Sequence, residues 1–147
     1  MSFTFRLAFA ALLLLPLALS PANAEAKHRL ALQISDNEPA KMNAVLNVAA
    51  NVSKYYSDKG DEIEVQVVAF NAGLNMLRAD KSPVLERLKS FQQSMPNVSF
   101  DACENTLEAM TRAEGKEPPL VENATRVKAG VVTLIELGEK GWTIVRP

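Results

Sequence analysis

The chain is poor in the side chains that most chemistry requires. It has one cysteine, Cys103, and one histidine, His28. A single cysteine excludes an internal disulfide and any thiol–disulfide exchange that needs a resolving thiol in the same chain. One cysteine and one histidine, read on opposite edges of the fold, cannot build a structural zinc centre, and the carboxylates show no ligand spacing. A Cys–His catalytic pair is not expected for the same reason.

Glycine is also scarce, at 6 of 147 residues. The first turn, Ser35-Asp36-Asn37-Glu38-Pro39, has none, and it carries acid where a phosphate would sit. Neither a dinucleotide fingerprint nor a P-loop is present, and no cofactor is implied. No basic cluster stands out, which argues against nucleic acid or an anionic membrane surface as the main partner.

Only one long apolar run occurs, and it lies at the start. Arg6 is followed by a stretch from Leu7 to Leu19 broken by Pro16, and Ala22-Asn23-Ala24 has the small-x-small pattern of a cleavage site. Residues 1–24 read as a secretory signal peptide cleaved between Ala24 and Glu25. An uncleaved anchor is the competing reading, but the run is short of the roughly 20 apolar residues that span a bilayer. Cleavage leaves 123 of the 147 residues, with 15 basic against 17 acidic side chains. That length suits one domain with a real core. The expected compartment is the periplasm, with no membrane partner after cleavage.

The rest alternates between periods of two and 3.6. Residues 28–35 read as a strand, and Pro39 opens a helix to about residue 56 with Met42, Val45, Leu46, Ala49 and Val52 on one face. Gly60 stops it. Residues 62–70 alternate and then run continuously apolar through Val67-Val68-Ala69-Phe70, as in a strand covered on both faces. Asn71-Ala72-Gly73 turns the chain, a short helix follows, and Ser82-Pro83 starts another. Val98, Phe100 and Ala102 mark a third strand, and Leu107, Met110 and Ala113 a helix ending near Gly115. Residues 116–119 read as a mobile loop. A strand at 124–127, a strongly apolar helix at 129–140 and a strand at 142–145 complete the chain.

Strands alternating with helices at this length predict a three-layer α/β/α domain on a mainly parallel open sheet of about five strands. The C-terminal ends of the strands are where ligands bind in such folds. That edge collects Ser35 and Asp36 from the first loop, Asn71 and Gly73 from the second, and Cys103 and Asn105 from the third. These are the expected pocket residues. Asp36 and Glu38 also read as caps and dipole partners of the first helix.

Cys103 stands between a strand and a helix. The positive end of the helix dipole favours thiolate there, the nucleophilic and sulfur-carrying form, with Glu104 working against it. The alternative is a small core hydrophobe. Asn43, Asn47 and Asn51 recur every four residues and share one helix face. They form either a solvated stripe or a subunit interface or pocket wall in which amides pair. With the apolar helix at 129–140, they lead to the expectation of a homo-oligomer.

Taken in order, several strings resemble the DsrE/DsrF-like family, particularly its exported branch. They are Gln33-Ile34-Ser35-Asp36 with Pro39-Ala40-Lys41, Asn47-Val48-Ala49-Ala50-Asn51-Val52, and Val68-Ala69-Phe70-Asn71-Ala72-Gly73-Leu74 with Met76-Leu77. Ala102-Cys103-Glu104-Asn105-Thr106, Ala129-Gly130-Val131-Val132 and Gly141-Trp142 follow. The resemblance spans nearly all of residues 28–147. It implies an α/β/α domain that assembles into homo-oligomers, and a cysteine at the place of Cys103 that carries sulfur as a persulfide. Under it, Cys103 would exchange sulfane sulfur with a donor or acceptor protein. A non-catalytic small-ligand-binding oligomer is the alternative.

Overall fold

A computed structural model describes residues 28–147; the signal-peptide reading of residues 1–24 lies outside them. Five parallel strands form one sheet in the order β4-β3-β2-β1-β5, where β1 is His28–Ile34, β2 Ile63–Ala69, β3 Val98–Cys103, β4 Ala124–Val127 and β5 Thr143–Val145. The helices are α1 (Pro39–Asp58), α2 (Leu85–Ser94), α3 (Glu104–Glu114) and α4 (Gly130–Glu139), and a 3-10 segment spans Asn71–Leu77. The predicted three-layer architecture is what the chain adopts.

From β1 to β4 the chain moves across the sheet in one direction, and α4 then carries it back to β5. Right-handed crossovers therefore put α1, α2 and α3 on one face and α4 alone on the other. The core divides accordingly. Leu32, Val65, Val67 and Phe100 pack with Met42 and Leu46 of α1, Leu88 and Phe91 of α2, and Leu107 of α3. On the opposite face Ala31, Val68, Phe70 and Cys103 pack with Leu134 and Leu137 of α4. Strand alternation sorts the side chains this way because neighbouring residues point to opposite faces.

Several local expectations change. The helix expected from Ser82-Pro83 starts later, at Leu85, and the Ser82 hydroxyl instead donates to the Met76 carbonyl at 2.5 Å and accepts the Val84 N–H at 3.3 Å. Residues 116–119 are pinned: Pro119 O accepts from the Ala79 N–H at 2.9 Å, Pro118 is buried, and Arg126 pairs with Glu117. Neither Asp36 nor Glu38 caps α1. Glu38 makes no side-chain cap bond, and Asp36 pairs with Arg146 at 2.9 Å. The His28 ring stacks on Tyr56 at 3.9 Å, and its Nε2 lies 3.6 Å from Asp61.

The amide stripe is not solvated throughout, and two of its three amides find their partner within the chain. Arg87 of α2 donates to Asn43 Oδ1 at 2.6 Å and to Asn47 Oδ1 at 2.9 Å, clamping α2 to α1 within the chain. Asn51 is exposed.

Candidate functional site

β3 and β4 are neighbours, yet the helices that follow them leave on opposite faces. The crevice between their C-terminal ends is thus a topological switch point, where open α/β sheets bind ligands. The register sets Cys103 beside Val127, so the chain enters α3 and approaches α4 at the same level. The Asn105 N–H donates to Lys128 O at 3.3 Å and ties the two helix starts together.

A groove of about 570 Å³ opens at this point. Phe70, Asn71 and Cys103 form its base. Asn105, Thr106, Ala109, Met110 and Ala113 supply the α3 wall, and Ala129, Gly130 and Val131 the α4 wall. Gly130 allows the close approach of the second wall, since a Cβ there would lie 3.0 Å from Phe70 Cβ.

Cys103 is the N-cap residue of α3 and is 5% exposed. Burial pushes its thiol pKa up, and the Thr106 side chain and the N–H groups of Gly130, Thr106 and Asn105 pull it down. Together the latter prevail and hold it below the ordinary thiol range. The N–H groups act on the sulfur as partial positive charges. Gly130 is the first residue of α4, so two helix N-termini converge on one sulfur. Glu104, which would oppose thiolate, is engaged by Lys128 at 3.4 Å, and Lys128 also meets Glu108 at 3.6 Å.

Of the expected pocket residues, Cys103, Asn71 and Asn105 come together here. Ser35 and Asp36 follow β1, two strands away, and do not line the groove. Gly73 lies within the 3-10 segment, where a Cβ would run into Ile34 O at the end of β1; its role is backbone packing. Sequence reasoning missed Thr106 and Gly130. Thr106 lies three residues beyond Cys103, a cap-box spacing that could have found it; Gly130 left no local signal, because its partner Phe70 is remote in sequence.

Fold and site together define a three-layer parallel α/β domain with a thiol at its switch point. The solved structure of MTH1491, a protein of unknown function from Methanobacterium thermoautotrophicum, is similar to it. Identity is 29%, the TM-score is 0.62, and the match covers 82% of this chain and 99% of that one. No family model and no curated protein sequence matches the chain.

Proposed function

We propose that Cys103 binds and relays sulfane sulfur, as a carrier and not as an enzyme with turnover, in an exported protein of DsrE/DsrF-like type. The observation that supports this reading is the convergence of two helix N-termini on a sulfur at the base of an open groove. A thiolate there attacks the outer sulfur of a donor persulfide. A bond forms between Cys103 Sγ and that sulfur, the donor's S–S bond breaks, and the donor leaves as thiolate. No oxidant is consumed and no general base is required once Cys103 is ionised. The Asn71 and Asn105 side chains flank the path of the donor. Treatment with polysulfide followed by intact-mass measurement tests the reading. Wild type should gain sulfur and Cys103→Ser should not; equal gain by both, or none by wild type, refutes it.

The near-complete burial of Cys103 and the apolar α3 wall favour a second reading, a small-ligand pocket in which the thiol is packing. Native-state alkylation separates the two. A packing thiol reacts far more slowly than a free one at neutral pH, whereas a carrier thiolate reacts readily.

A further inference from the structure

Thr106 sits in an unusual position for a helical threonine. Two others, Thr111 and Thr133, donate their hydroxyls to the carbonyls four residues back, at 2.8 Å and 3.2 Å. Thr106 is the third residue of α3, and its fourth predecessor is in β3, so no helical carbonyl lies beneath it. Its oxygen instead accepts the Asn71 N–H at 2.9 Å. An amide N–H can only donate, so this bond occupies an oxygen lone pair and leaves the hydroxyl proton to find another acceptor. The backbone at Asn71 is shaped for the contact: φ is 50°, the one non-glycine residue with positive φ among the described residues. Asparagine tolerates that region better than most residues. Both Asn71 and Thr106 line the groove with Cys103.

We propose that Thr106 is the positioning residue of Cys103: the Asn71 N–H fixes its oxygen as acceptor and turns its proton toward the sulfur. The inference rests on the sulfur-carrier reading but acts one step earlier, on ionisation of the thiol. The Thr106 contribution to the lowered thiol pKa agrees with it. Asn71 matters through its backbone, so its side chain is dispensable for this role, and a residue at ease with positive φ should serve.

The test is the pH profile of iodoacetamide alkylation, which reads Cys103 alone because it is the chain's one cysteine. Thr106→Val should move the midpoint upward and slow alkylation near neutral pH by about tenfold. Thr106→Ser should restore the wild-type profile, and Asn71→Gly should keep it. Should Thr106→Val fold poorly, Thr106→Ala gives the same comparison at a half-buried position. A midpoint unchanged in the folded valine or alanine variant overturns the proposal, as does failure of serine to restore it. Sulfur loading is scored separately by mass. A shifted midpoint without loading of the wild type refutes the carrier and leaves the Thr106 role standing; loading with an unshifted midpoint does the reverse.

Discussion

At the scale of the residue, two positions are decided by a single interatomic contact. A Cβ at Gly73 would run into Ile34 O, a backbone atom that the sheet holds in place. Gly73→Ala is therefore expected to cost about 3 kcal/mol, read as a lower urea midpoint. Asp101, 3% exposed on the α4 side of β3, bonds to Gln66. Burial raises its carboxyl pKa, and the Gln66 bond lowers it by less. The folded chain thus keeps this proton to higher pH than the unfolded chain. Its stabilising contribution is complete below the unfolded pKa, near 3.9, and is lost as pH rises through the folded value. Asp101→Asn should raise stability at neutral pH by on the order of 1 kcal/mol, and the gain should shrink as pH falls into the carboxylate range. Denaturant melts at both pH values check it; a loss at neutral pH would show that the ionised form is wanted.

Among the elements, α3 is held at both ends. Its N-terminus meets Lys128 and Asn71. Its C-terminus is fastened by Arg78, 1% exposed, whose guanidinium reaches Glu114 at 2.5 Å and Asp80 at 2.9 Å. The two carboxylates hold the Arg78 pKa above its ordinary value. Removing one partner of a buried pair leaves charge without compensation. Arg78→Ala should cost about 3 kcal/mol in a urea titration, toward the low end because Glu114 and Asp80 stay partly hydrated. A loss under about 1 kcal/mol would mean that the ion pairs add little to the backbone bridge between Arg78 and Leu120 and the ties at the N-terminus of α3.

For the whole molecule, the open question is what meets the outer face of α4. Val131, Val132 and Ile135 are each about half exposed, while Leu134 and Leu137 pack on the sheet. The amide stripe, spent on Arg87, no longer argues for assembly; the α4 face still does. Light scattering should return a multiple of one chain mass, and Ile135→Glu should lower it. A single-chain mass for wild type at micromolar concentration would refute the homo-oligomer. Among the described residues no helix is long and apolar enough to cross a membrane.

Local pattern was enough for the order of elements, because period and punctuation act within one turn or one strand. Pro39 opens α1, and Gly115 at φ 74° ends α3. The alternation of Val98, Phe100 and Ala102 assigns that face of β3 to the core. Cys103 at the strand-to-helix junction was legible for the same reason. The tertiary structure alone decided which strand ends share a site. That depends on where α4 crosses back, which the pairing of β5 with β1 sets across the whole length of the domain. The crossing sends α3 and α4 to opposite faces beyond the paired ends of β3 and β4, so Thr106 and Gly130 join Cys103 while Ser35 and Asp36 do not. Burial of Arg78 and Asp101 and the pairing of Asn43 and Asn47 with Arg87 were likewise hidden, since a polar residue's partner can lie anywhere in the chain. Only packing brings the two together.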